Sequence, residues 1–553
     1  METTTNVNPP RKRFNKTLLV IGAAGIAVLG GLGTAYAKLD LFKSAKTVYL
    51  EAEANNFAQL SDDFSQSFNE YEEYIKPYLE KPVHSTTELS QIAVDGTPAD
   101  PQAEKILDLL KSAKLVIQSN ADESKRQQSG GVEVHLKDRK LLTLEYVFDD
   151  TKMGFRLPDF YPKYGYVDLK DRDTIKARYG EELPKRLITS RDLYEALKVS
   201  RDEVASVLKP YALLYAESLK DSQVTINKNS SFSEEGYQTS AREVTVTFTD
   251  EEGKALLTKI AEKAKADDKL FDLIYGRYHN VAVLLKDSGY PDVQELSKEE
   301  FKKEYVKVFD DMLAEWKKTA STNDQLKMVV LINSDDEILS RKLVITGEQG
   351  KEEQNFWHSV AFANGADTYR RYSLFVDDDG QKGEMTFRYK GTTHSDKTTG
   401  TIGFLFNAEP EVKLDLSTTF ETSKQDKKET GSYDFKLNLK SADQPDDIAL
   451  SGRITTSMTK TDSERDSEGT IKVNFDKAAP DMPKGISLNV KVKEAFGKPL
   501  SIPAMTPDNA VNIATVTDEE IMAIQQEVAD AAQSFMMKHQ DLFQELMPAV
   551  PMQ

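Results

Sequence analysis

The chain has 553 residues, a net charge of −19, no cysteine, 39% hydrophobic and 29% charged side chains. Such a length accommodates two or more domains, each with its own core. The acidic balance repels phosphate backbones and anionic head groups, which excludes a nucleic-acid role. The missing thiols exclude a disulfide framework, thiol catalysis, Cys-based metal sites and a lipidated cysteine.

Residues 1–16 read as a short cytoplasmic tail carrying Arg11, Lys12, Arg13 and Lys16. Residues 17–37, TLLVIGAAGIAVLGGLGTAYA, hold no charge and would make a helix of roughly 31 Å, about one bilayer core. Leu18, Leu19, Val20, Ile21, Ile26, Val28, Leu29 and Leu32 supply its apolar surface. The preceding cations keep the N-terminus inside and send the remainder outward. Two readings stay open for this segment. The length of the run favours a retained single-pass anchor, with the bulk extracytoplasmic. Ala35-Tyr36-Ala37 fits a signal cleavage site, which would give a protein secreted after Ala37. Either way the outer portion is acidic, since the tail carries four positive side chains and one negative.

Next, Leu50, Ala54, Phe57, Leu60, Phe64, Phe68, Tyr71 and Ile75 step by three or four, predicting an amphipathic helix that Pro77 ends. From about Ser85 to Lys170 the period changes towards two, predicting an antiparallel meander interrupted by a short helix at Pro101–Ser112. Residues 171–221 return to helix, where Ser200-Arg-Asp-Glu203 is a capping box and Pro210 is expected to kink or split the element. Strands near Val224–Lys228 and Arg242–Phe248 follow. Helices opened by Thr249-Asp-Glu-Glu252 and Ser297-Lys-Glu-Glu300 complete a mixed lobe over 38–320. Residues 321–510 are nearly pure β, with about ten strands between Leu326 and Val492. Within 511–553, Thr517-Asp-Glu-Glu520 caps a last helix expected to pack on the sheet.

Chemical signatures are sparse. His84, His135, His279, His358, His394 and His539 show no metal-ligand spacing. His539 reads as a core or boundary residue and His135 as a solvated one. The pairs Ser206/Lys209 and Ser457/Lys460 repeat the Ser-x-x-Lys spacing, but neither has the helical setting that acyl transfer needs. Asp377-Asp-Asp-Gly380 reads as a hairpin turn rather than a calcium loop. No catalytic residue, cofactor or metal is expected.

The aromatic-striped helix after an apolar segment, with FRLPDFYPKYGYVDL (155–169) and VTVTFTDEEGKALLTKIAEKAK (244–265), is similar to uncharacterised membrane-anchored extracytoplasmic proteins of Gram-positive Bacillota. More distantly, the pattern resembles the LolA/LppX-like lipoproteins, whose half-barrel sheet wraps around helices and can enclose acyl chains. The expected fold is α+β, with large curved antiparallel half-barrel-like sheets packed on amphipathic helices. The expected role is a non-enzymatic binding or carrier module for a lipid-like ligand, lined by Phe404, Phe406, Leu414, Leu416, Phe435, Leu437 and Phe475. The alternative is a solid-cored envelope scaffold. The expected partners are the membrane and a lipid or envelope component.

Overall fold

The computed structural model describes residues 43–96, 101–291, 293–318, 322–347, 354–378, 381–442, 447–477 and 483–546. The expected tail and the apolar segment, with Leu18, Leu19, Val20, Ile21, Ile26, Val28, Leu29 and Leu32, lie outside the described residues. No helix among those described is long and apolar enough to cross a membrane.

Helix α1 (Ala45–Glu80) starts at Ser44, whose side chain accepts the Thr47 N–H, and carries Pro77 inside its last turn. The helix therefore outlasts its proline by three residues, and the Pro77 carbonyl accepts the Lys81 N–H. At 36 residues it is about 54 Å long. Strands β1 (Val83–Asp95), β2 (Lys114–Asp122), β3 (Gln127–Leu136), β4 (Arg139–Phe148), β5 (Lys152–Leu157) and β6 (Tyr161–Asp168) follow, with α2 (Pro101–Lys111) after β1. Helices α3 (Arg172–Tyr179), α4 (Ser190–Leu197) and α5 (Arg201–Ser218) lead to β7 (Val224–Glu234) and β8 (Tyr237–Thr249). Both halves of the predicted capping box form at Ser200 and Glu203, and α5 spans Pro210 as one helix. Helices α6 (Asp250–Ala266), α7 (Asp268–Asp287) and α8 (Lys298–Lys318) precede β9 (Gln325–Ile332) and β10 (Ile338–Thr346).

The long β segment then runs through β11 (Gln354–Asn364), β12 (Asp367–Asp378), β13 (Gln381–His394), β14 (Lys397–Glu409) and β15 (Val412–Gln425). It continues with β16 (Lys428–Ser441), β17 (Ile448–Lys460), β18 (Glu464–Phe475) and β19 (Gly485–Phe496). Strand β20 (Ala510–Asn512) and helices α9 (Asp518–Lys538) and α10 (Gln540–Leu546) close the described chain.

All twenty strands belong to one sheet, where sequence reading expected several. Strands β7 to β19 pair in chain order. β19 then pairs with β1, β1 with β2, and the meander continues to β6, with the short β20 parallel to β6 at the edge. The sheet is thus open between β7 and β20, and strands of both proposed lobes, 38–320 and 321–510, share it. The C-terminal helices sit at the β6 margin rather than over the long β segment: Phe535 packs on Phe160 and Arg139 pairs with Asp541.

Cross-strand register explains why one face is apolar. Each of β7 to β17 contributes one residue to a single row: Val224, Val246, Met328, Leu343, Trp357, Leu374, Met385, Phe406, Leu414, Leu439 and Ile448. At the β7 end this row is sealed beneath α1, α5 and α6 in the main core, with Val48, Tyr49, Ala52, Tyr215, Leu256 and Leu257. At the other end it reaches solvent, with Met385 42% and Ile448 43% exposed.

Helices α1, α4, α5 and α6 lie on the concave side. Leu197 of α4 shares a cavity with Val83 and Ala121 of β1 and β2, while Tyr215 of α5 is buried in the cluster that includes Met328 of β9. Eleven strand spacings separate β1 from β9, about 53 Å along the sheet. The chain from Leu197 to Tyr215 reaches only about 33 Å as mostly helix. The sheet must therefore curve around its helices. Gly400 and Gly452 let aromatic rings lie against the strands: a Cβ at Gly400 would stand 2.8 Å from the Phe420 ring, and one at Gly452 2.5 Å from the Phe435 ring.

Candidate functional site

Helix α1 touches the curved face at two places. Near its start, Tyr49 and Glu53 are fully buried. The Tyr49 hydroxyl lies 2.9 Å from that of Tyr215, and Arg341 of β10 donates to Glu53 Oε2 at 2.5 Å. Glu53 Oε1 has no partner among the described residues. Burial outweighs the attraction of Arg341 and raises the Glu53 carboxyl above its usual range. An acid on the helix stripe thus fixes α1 to the sheet through a residue 288 positions away.

Near the end of α1, Tyr78 donates its hydroxyl to the Glu494 carboxylate, at 2.8 and 2.9 Å from the two oxygens. Arg465 of β18, 3% exposed, donates to the Tyr78 hydroxyl at 3.2 Å and to the Tyr74 carbonyl at 3.1 Å. Its guanidinium stacks over Tyr74, Tyr78 and Phe496. Burial and the Glu494 carboxylate both push the Tyr78 phenol up, so it stays a donor at neutral pH. This cluster latches the far end of α1 onto β18 and β19.

Two cavities flank the latch on the same face. The first, about 760 Å³, lies between α1, α4 and strands β1 and β2, lined by Phe68, Tyr71, Ile75, Leu79, Val83, Leu193 and Leu197 among others. Its side towards solvent is apolar: Tyr71 is 53% and Leu197 52% exposed. Tyr194 of α4 donates to Glu72 of α1 at 3.0 Å across it, and burial with that carboxylate pushes the phenol up to about 12. The second cavity, about 680 Å³, lies over β14 to β19, where Tyr433, Ile454, Ile471, Val490 and Val492 meet Thr398, Thr422, Thr456 and Ser467. Volumes of this size fall within the range of small-molecule sites, about 300–1,000 Å³.

The seven residues expected to line a ligand space do share a face. Phe406 pairs with Leu414 and Phe404 with Leu416, Leu416 faces Leu437, and Leu437 continues through Leu450 to Phe475. Phe435 sits one row over, against Gly452. None of the seven lines either cavity; they form the neighbouring apolar rows. The α1–α4 groove itself went unread, although Phe68, Tyr71 and Ile75 belonged to the predicted stripe. Its partner, Ser190–Leu197, is too short for periodicity to show which surface it faces.

Elsewhere, His539 is buried against Phe535 and His135 lies 3.0 Å from Glu133. His358 contacts Ser340 at 3.1 Å, but its other nitrogen faces Arg371 at 3.4 Å. Burial, then Arg371 and Lys342, push its pKa down to about 4, so the pair lacks the carboxylate that would make the imidazole a strong base. Ser206 donates to the Glu203 carbonyl at 2.8 Å. Asp378 pairs with Gln381 between β12 and β13, while Asp379 and Gly380 of the expected hairpin turn lie outside the described residues. No cluster able to hold a metal occurs among the described residues.

The model of the Family of unknown function (DUF6583) matches residues 10–342, more than half of the chain, and the chain belongs to that family. No curated protein matches it. Among solved structures it is similar to a loop L8 deletion mutant of OmpT, an outer membrane protein of Vibrio cholerae. Identity there is 8% over 75% of this chain and 98% of that one, with a TM-score of 0.20. It is also similar to a porin (9% identity, 75% and 100% covered, TM-score 0.19) and to a bacterial polysaccharide outer membrane secretin (4%, 76% and 98%, 0.22). At such scores the backbones do not superpose as one fold.

Proposed function

We propose that this DUF6583 member is a non-enzymatic binding module for an apolar, lipid-like ligand, held at the outer face of a membrane by residues 17–37. The α1–α4 groove carries this reading: large apolar side chains line a cavity of about 760 Å³ and remain half exposed. Leaving such a surface open costs about 25 cal/mol per Å² of apolar area, a cost that an apolar ligand removes. Residues 38–44 separate the apolar segment from α1. Fully extended they span about 25 Å, which supports a tether short enough to keep the start of α1 beside the bilayer. The half-barrel lipoproteins that the sequence pattern resembles supply the analogy for acyl chains enclosed by a sheet and its helices.

The test is the fluorescence of N-phenyl-1-naphthylamine, a dye that brightens in apolar sites, added to the purified full-length protein. The wild type should brighten it, and Ile75→Glu and Leu197→Glu should each lower the signal to the level that residues 17–37 contribute, while leaving the far-ultraviolet circular dichroism unchanged. Equal brightening by wild type and both variants would defeat the reading and favour the scaffold role.

A further inference from the structure

The two cavities differ in chemistry, and they abut. Glu494 lines the first, while Val492, two residues earlier on the same face of β19, lines the second, so about 7 Å separates them along the strand. The first is walled by aromatic and aliphatic side chains. The second sets hydroxyls of Thr398, Thr422, Thr456 and Ser467 beside its apolar floor. Among the described lining residues, each cation has a carboxylate beside it. Lys198 in the first is paired with Glu195 at 2.5 Å, and Lys424 in the second with Glu429 at 3.5 Å. Arg465, between them, is sealed under three aromatic rings. Carboxylates do reach the walls: Glu123 and Glu494 in one, Asp396 and Glu429 in the other.

We infer that the ligand is an amphiphile with an uncharged, polyhydroxylated head group, a glycolipid by chemical class. Its acyl chains occupy the α1–α4 groove and its head group the hydroxyl-lined cavity over β14 to β19. This rests on the apolar-binding reading and adds the head group to it. A phosphate would meet carboxylates, and ammonium groups only where a carboxylate already sits beside them. Sugar hydroxyls can both donate to those carboxylates and exchange hydrogen bonds with the threonines. The glycerol region would cross the latch, where Glu494 presents its carboxylate.

The experiment offers full-length protein in amphipol an equal mixture of dihexosyl-diacylglycerol and phosphatidylglycerol with identical acyl chains. Free lipid is removed by gel filtration, and bound lipid is counted by mass spectrometry. Lipid retained by Ile75→Glu or by Leu197→Glu measures what clings to residues 17–37, and is subtracted. The remainder should favour the glycolipid by roughly tenfold, as a single unpaired phosphate charge beside carboxylates implies. Thr422→Val with Thr456→Val should lower that preference roughly fivefold without reducing uptake of plain diacylglycerol. Phosphatidylglycerol bound as well as or better than the glycolipid would overturn the head-group assignment and leave the apolar groove standing. Identical lipid on wild type and both groove variants would overturn both.

Discussion

Replacing Arg341 by methionine isolates the contact that pins the start of α1. In the wild type Glu53 is 1% exposed, Arg341 lies 2.5 Å from one carboxylate oxygen, and the other oxygen has no partner among the described residues. Methionine fills the space without a charge and leaves a buried carboxylate without a cation. Breaking one partner of a buried pair costs about 3–5 kcal/mol, whereas replacing both with apolar or neutral groups is often close to neutral. The expectation is therefore a loss of about 3–5 kcal/mol for Arg341→Met and recovery of most of it in Glu53→Gln/Arg341→Met. Urea unfolding of the full-length protein, followed by far-ultraviolet circular dichroism, measures both. The pH dependence supplies a second arm. Burial raises the folded Glu53 pKa above 4.5, so the stability from its protonated form is complete below 4.5 and is lost as pH rises through the folded value. The stability difference, wild type minus Glu53→Gln, should fall across that window. A loss under about 1 kcal/mol for Arg341→Met, or a difference that grows with pH, would refute the buried-pair account.

Tyr78→Phe removes the donor to Glu494 and should cost about 1–2 kcal/mol; hydrogen exchange should rise in the last turns of α1 and stay unchanged around Tyr49. At α5, the Arg277 bond, then the Ser200 cap, lower Glu203 to about 2. Its contribution is complete above the ordinary carboxylate value and is lost as pH falls towards 2. Acid should therefore fray the first turn of α5 in wild type and leave Glu203→Gln indifferent, as hydrogen exchange reports. Alkaline phosphatase fused after Gln553 should be active if residues 17–37 export the chain, and an inactive fusion would remove the extracytoplasmic setting.

Local pattern made much of this fold legible. Strands such as β15 and β16 announce themselves because alternate residues, Val412, Leu414 and Leu416 or Phe435, Leu437 and Leu439, are consigned to one face. The capping boxes at Ser200, Thr249 and Thr517 form as written, since cap and acceptor are three residues apart. Pairing between remote strands was not legible. Nothing in Val83–Asp95 specifies Gly485–Phe496 as its neighbour, and that junction, together with β8 on β9, turns two expected lobes into one sheet. Glu53 was hidden for a similar reason, because a lone acid on an apolar stripe gains meaning only from Arg341 on another strand. Helix α7 went unpredicted, its apolar positions obscured by aromatics that pack sideways on α8 through Phe271, Tyr275 and Tyr278 against Phe301.

The same junction explains why a groove exists at all. Chain order puts β6 next to one edge of the sheet, inside only the short β20, and β7 at the other, so α3, α4 and α5 must carry the backbone across the open side. Two helices crossing there touch α1 at separate places, α5 through Tyr215 and Tyr49 and α4 through Tyr194 and Glu72, and the groove opens beside the second contact, where Phe68 to Leu79 of α1 face α4, β1 and β2. A closed barrel would need no such crossing, and a flat sheet would not bring α4 over β1 and β2. The cavity is therefore a consequence of topology rather than of loose packing, and filling it should be tolerated. Ala121→Leu, on its β2 floor, should leave stability within about 1 kcal/mol of wild type while displacing the dye. A large destabilisation would mean that the space is already occupied by the fold itself.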